Sequence, residues 1–172
     1  MKRILTIILV FMMTSCHIQC QESKKEHKHI HLLQIESECI YPPLDRAIGL
    51  FDSIDFKNDT LLFSIDMVKR SQDSIYSLLI EYETNLDLSF NYVKPVYGCF
   101  YYRNCLFVVN GLDSEIIFSR KDSMMRFEYI PNSDDQLVII DDSRPYWEYY
   151  YCDGKFILIG ESIPPEYRIQ QE

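Results

Sequence analysis

The sequence predicts an α+β fold dominated by β-structure: a mostly antiparallel sheet of about seven or eight strands in two layers, with one short N-terminal helix. Three observations predict it. Apolar residues alternate with polar ones over most of the chain beyond residue 60, the period of a half-buried strand. Turn signals such as Asn110-Gly111, Pro131-Asn132 and Asp153-Gly154 separate these runs at short intervals. A helical period that explains its apolar residues without remainder occurs once, just after Pro42-Pro43. At 172 residues and 47% hydrophobic content the chain has material for one packed core and too little for two.

The elements follow in order. Leu44, Ala47, Ile48 and Phe51 recur at i, i+3, i+4 and i+7, and proline suits a first helical turn, so a helix is expected from about Pro43 to Ser53. Residues 61–83 fit two patterns. A 4-3 spacing from Leu61 to Tyr82 would make one long helix but leaves Leu62, Phe63, Met67, Tyr76, Leu78 and Ile80 off its seam. Two strands joined by Lys69 to Ser74 place Leu61, Phe63, Ile65 and Met67 on one face and Tyr76, Leu78, Ile80 and Tyr82 on another. Their polar faces then hold Ser64, Asp66, Ser77 and Glu81. Period two accounts for more of the apolar residues, and strands are favoured.

Beyond residue 85 the signal is β throughout. Leu86 to Tyr92 alternates before Pro95; Leu106 to Val109 ends at Asn110-Gly111; Glu115 to Ser119, Met124 to Ile130 and Leu137 to Ile140 follow. Tyr146 to Cys152, Asp153-Gly154 and Lys155 to Ile159 form the clearest hairpin, because Asp-Gly suits a two-residue turn with positive φ. Short connections favour antiparallel pairing. The tail from Glu161, with Pro164-Pro165, is expected to pack along an edge.

The first sixteen residues have a separate logic. Lys2 and Arg3 precede a ten-residue apolar run, Ile4 to Met13, and the chain turns polar after Cys16. Ten residues span roughly 15 Å as a helix, half a bilayer core, so the run is a leader rather than a membrane span. Met13-Thr14-Ser15-Cys16 resembles the lipobox of bacterial lipoproteins, with Met13 where many members carry leucine. The resemblance covers only the leader. It implies residues 1–15 as a signal peptide, Cys16 as the lipidated (palmitate-bearing) N-terminus, and a place in the bacterial cell envelope, at the outer membrane. Residues 16–31 then read as a polar tether and 32–172 as a single β-rich domain. Removing the leader takes away two basic residues and no acid, leaving 15 basic against 26 acidic residues and a net charge of −11. Such a body is repelled by anionic headgroups, so the lipid must supply the attachment.

Export permits disulfides. Cys99 and Cys105 are the suggestive pair: too far apart on one strand, they would meet across a hairpin turning at Tyr102-Arg103-Asn104. No Cys-x-x-Cys redox or zinc spacing occurs.

Composition narrows function. A net charge of −9 argues against nucleic acid. Five scattered glycines build no phosphate loop, and no cofactor is expected. All four histidines, His17, His27, His29 and His31, precede the body, so histidine-based hydrolysis lacks its base there. The alternating His27, His29 and His31 are weak candidates for a metal, lacking a visible fourth ligand. Paired acids such as Asp52 and Asp55, Asp113 and Glu115, Asp134 and Asp135, and Asp141 and Asp142 leave a carboxylate-only hydrolase open, but read first as solvated loops.

The aromatics are the stronger signal. On one strand Trp147, Tyr149 and Tyr151 point one way while Tyr146, Glu148 and Tyr150 point the other, more than one buried face demands. Trp147, Tyr149 and Tyr151 are the expected binding surface. The expectation is a non-enzymatic, lipid-anchored module that binds a basic protein, with the physical profile of an inhibitor or immunity protein. The alternative is an accessory lipoprotein that stacks glycans on Trp147 and its neighbours.

Overall fold

The computed structural model of the chain describes residues 26–51, 60–70, 76–83, 95–129 and 144–168. Eight strands carry it: β1 (Glu26–Ile35), β2 (Leu62–Lys69), β3 (Tyr76–Glu83), β4 (Val96–Tyr102), β5 (Cys105–Asn110), β6 (Phe118–Tyr129), β7 (Tyr146–Cys152) and β8 (Lys155–Ser162). They form one sheet in the order β6-β1-β4-β5-β2-β3-β7-β8. Five of its seven ladders are antiparallel; β1–β4 and β2–β5 are parallel. The parallel ladders arise because the β4–β5 hairpin inserts between β1 and β2, which are separated in the chain by the helix α1 (Tyr41–Gly49).

The α1 segment follows a 3-10 turn (Glu38–Ile40), has proline in its first turn, and buries Pro43, Leu44, Ala47 and Ile48. It starts and stops a few residues earlier than its apolar spacing predicts, and Phe51 is buried just beyond it. Together with Ile40, Leu50 and Phe51 its apolar stripe packs on Phe63, Ile65, Met67, Leu78, Ile80, Phe107, Val109, Trp147 and Tyr149 of the sheet. Each of these side chains removed from water contributes about 1.5–3 kcal/mol. The tail returns to the same side: Tyr167 meets Phe51 and Tyr82 edge-on at 5.9 Å each. A smaller cluster, Ile30, Leu62, Cys99, Leu106, Val108 and Phe127, occupies the opposite face near β1 and β6. Among the described residues the sheet is therefore covered along its length on the helix side and only at one end behind.

Residues 61–83 form the hairpin that period two favours, with Ile65 opposite Ile80 and Met67 opposite Leu78. Two tight turns use left-handed backbone: Arg103-Asn104 (φ 46° and 64°) and Asp153-Gly154 (φ 50° and 76°). Both match the twist of their strands. Gly98 is needed for another reason, because a Cβ there would lie 2.4 Å from Leu33 Cδ2 and 2.8 Å from the His31 carbonyl. Only a glycine lets β4 approach β1 so closely.

Four details differ from expectation. Strand β1 begins at Glu26, so His27 to His31 belong to the sheet instead of a tether; pairing with β6, from Glu26↔Tyr129 to Ile35↔Phe118, extends it. Residues 112–116 are a 3-10 turn, and β6 then runs for twelve residues where the apolar pattern suggested two strands, its pairing with β1 shifting register between Arg120 and Met124. The expected hairpin forms, turning at Arg103-Asn104, without a Cys99–Cys105 disulfide: both remain thiols. Its two-residue turn sets Cys105 opposite Tyr102 and Cys99 opposite Val108, and puts the two sulfurs in clusters on opposite faces of the sheet. A register shift of one residue moves a side chain to the other face. Expected strands at Leu86 to Tyr92 and Leu137 to Ile140, the leader and its lipobox lie outside the described residues. Among those described, no helix is long and apolar enough to cross a membrane.

Candidate functional site

The rear of the sheet, which no described helix covers, is a grid built by three registered strands. Ser64, Glu81 and Tyr146 form one row across β2, β3 and β7; Asp66, Leu79 and Glu148 the next; Val68, Ser77 and Tyr150 the third. Each is the alternate residue to a core side chain, which is why a polar face results from strands whose other face is apolar. Asp66, Val68, Ser77, Leu79, Glu81, Tyr146 and Glu148 line a depression of about 380 Å³. Its walls are mixed: Val68 and Tyr146 are exposed, Leu79 half-buried, and three carboxylates project among them.

Two arginines frame it. At one side Arg70 donates to the Tyr150 hydroxyl at 2.6 Å and to Glu148 at 3.3 Å, with its guanidinium 4.6 Å from the Tyr150 ring centre. This exposed contact is worth a few tenths of a kcal/mol to about 1 kcal/mol. At the other side Glu83 is buried, accepting from Ser64 Oγ at 2.8 Å and paired with Arg144. Burial pushes the Glu83 carboxyl above its ordinary range; the Ser64 hydrogen bond and Arg144 pull it down, and the neighbouring Glu81 charge pushes it up again. The negative charge of the depression is thus felt inside the protein.

Chemically, the site presents carboxylate oxygens above hydrocarbon and a tyrosine edge. That combination suits a cation carried on an apolar stem, as in lysine or arginine.

The expected surface lies elsewhere. Trp147 is 1% exposed and Tyr149 3%, and both belong to the core beneath α1. Tyr151 is half-buried against Tyr76 and Phe156. The expectation of a Trp147, Tyr149, Tyr151 binding stripe is corrected: that stripe shares its face with Leu78 and Ile80, which the helix covers, and it is the other stripe that borders solvent. His27 and His29 are exposed and His31 half-buried, its Nδ1 3.3 Å from the Lys121 carbonyl oxygen. Among the described residues no group of three histidines, cysteines or acids is placed to hold a metal.

Of the paired acids, Asp113 accepts the Lys69 amide at 2.8 Å and Glu115 is exposed. Asp52, Asp55, Asp134, Asp135, Asp141, Asp142 and Cys16 lie outside the described residues. Alternation had already set Ser64, Asp66, Ser77 and Glu81 on one face and Glu148 on the face opposite Trp147. The missing knowledge was that β3 pairs with β7, which joins them into one site. No family model matches the chain, and neither a curated protein nor a solved structure matches it.

Proposed function

We propose that the chain is a lipid-anchored, non-enzymatic binding module of the bacterial envelope that captures a basic protein, as an inhibitor or immunity protein would. The observation that carries this reading is the depression holding Asp66, Glu81 and Glu148 among Val68, Leu79 and Tyr146 on the sheet's rear. Its carboxylates attract a cationic side chain, and its apolar walls take the stem. The net charge of the chain adds long-range steering toward a positively charged partner. Burial of Trp147 and Tyr149 removes the platform on which the glycan reading depended.

The test compares the mature chain with its Glu81→Gln/Glu148→Gln variant, each immobilised and exposed to envelope extract at low and high salt. The reading expects a stoichiometric basic protein that elutes as salt rises and does not bind the variant. A partner held equally by the variant, or indifferent to salt, overturns it.

A further inference from the structure

The two edges of the sheet are unlike each other. The β6 edge carries Arg120, Lys121, Asp122 and Arg126, all exposed, the usual protection against pairing with another strand. The β8 edge carries Lys155 and Glu161 near its ends and no charge from Phe156 to Gly160. Ile157 is 55% exposed and Ile159 43%, on a strand whose inner side pairs with β7 and whose outer side pairs with no described strand.

Gly160 adds a second observation. It sits opposite Glu148, its φ is not left-handed, and a Cβ there would meet only Glu148, at 3.8 Å from Oε2 and 3.9 Å from Cβ. The β7–β8 ladder shifts register beside it, between Glu148 and Tyr149, and crowding does not require glycine here. The effect of the glycine is to leave Glu148 Oε2, the oxygen other than the one Arg70 meets at 3.3 Å, uncovered from the direction of the β8 edge, where a longer side chain would lie across it.

We propose that an extended segment of the basic partner adds to the sheet beside β8 as a further strand, packing on Ile157 and Ile159, with a lysine or arginine side chain crossing Gly160 to Glu148. The inference rests on the basic-partner reading of the depression and specifies how that partner is held. Main-chain hydrogen bonds along an edge supply affinity without sequence, and side chains on alternate positions supply selection. An added strand lies about 10 Å from β7, two strand spacings, within the combined reach of a lysine and a glutamate. The carboxylates choose a cationic segment over a second copy of this acidic chain, whose like charge opposes association.

The probe is a blocked seven-residue peptide of alternating valine and lysine, with a valine–glutamine peptide as control. It is titrated into the mature chain carrying Cys16→Ser, so lipid plays no part, and read by amide hydrogen exchange of Lys155 to Ser162. The lysine peptide is expected to slow exchange along β8 and to bind about tenfold more tightly than the control. Gly160→Leu is expected to abolish that preference. Ile157→Lys, at an exposed position that leaves the core intact, is expected to abolish β8 protection. Binding that leaves β8 exchange unchanged but weakens with Glu148→Gln overturns strand addition and leaves the basic-partner reading standing. Equal binding of both peptides, or of neither, overturns both. Protection of β8 that grows with protein concentration in the absence of peptide assigns the edge to a second copy and overturns the proposal.

Discussion

Arg144→Met tests whether the rear face is as dry at its inner end as the geometry requires. The Glu83 side chain is 1% exposed and that of Arg144 10%, so solvent does little to screen the pair. Removing one partner of a buried ion pair costs about 3–5 kcal/mol, because the other charge is left without compensation. Ser64 still donates to Glu83 in the variant, which places the expected loss near the lower figure, at about 3 kcal/mol. With a urea m-value of about 2 kcal/mol/M, the midpoint falls by about 1.5 M. Trp147, 1% exposed, is the single tryptophan and reports the transition by fluorescence.

The pH dependence distinguishes this account from a simple loss of packing. The Glu83 carboxyl in the folded protein lies above its ordinary value of 4.5, chiefly through burial. A carboxyl raised in this way contributes most to stability below its unfolded value, and the contribution is lost as pH rises through the folded value. Losing Arg144 raises the folded value further, so the deficit of Arg144→Met is small near pH 4.5 and grows toward neutrality. Arg144 makes other contacts as well, and Glu83→Gln/Arg144→Met separates them: neutralising the stranded carboxylate restores much of the loss. A deficit equal at both ends of the pH range, or a double variant no more stable than the single, would refute the reasoning.

Gly98→Ala forces a Cβ to 2.4 Å from Leu33 and 2.8 Å from the His31 carbonyl; β1 must shift, and thermal unfolding should show a loss of about 1–3 kcal/mol. Trp147→Ala is expected to lower stability by about 3–5 kcal/mol, as a core truncation does, in urea unfolding followed for both chains by circular dichroism, since the variant lacks the fluorescent reporter; an unchanged midpoint would return Trp147 to the surface. Thiol labelling of the native chain should modify exposed Cys152 quickly and Cys99 only on unfolding, since burial pushes the Cys99 thiol up to about 11; mass mapping of rapid native labelling at Cys99 would contradict its place in the rear cluster. Palmitate fed to expressing bacteria should label the wild type and not Cys16→Ala; label in both, or in neither, rules out lipid at that residue.

What the sequence made legible follows from how local each interaction is. The Asp153-Gly154 turn and the helix at Leu44 to Ile48 depend on neighbours within a few residues, and their patterns were readable. The identity of ladder partners was not. Glu81 meets Tyr146, and Leu79 meets Glu148, across more than sixty positions of chain. No periodicity encodes that choice, because any alternating strand offers the same face to any other. The cysteine bridge failed for the same reason at smaller scale: the spacing allowed a hairpin, but the turn's residue count decided which face each sulfur took.

The double aromatic stripe of β7 carries the argument one step further. Both stripes were visible, and the tryptophan-bearing one looked the better ligand surface because Trp and Tyr favour interfaces. The same residues are also the largest apolar volumes available to fill the space beneath a helix. Which role wins depends on where α1 lands, and α1 lands on the face of Leu78, Ile80 and Trp147. The remaining stripe, with Tyr146 exposed and Glu148 and Tyr150 half-buried, borders solvent on the rear of β3 and β7. A strand with aromatic residues on its uncovered face, beside three carboxylates and an uncharged edge, has more apolar and acidic surface there than solvation alone explains. That excess is what the basic-partner reading accounts for, and Tyr146, at 37% exposed, is the aromatic whose replacement by serine should weaken binding without touching the core.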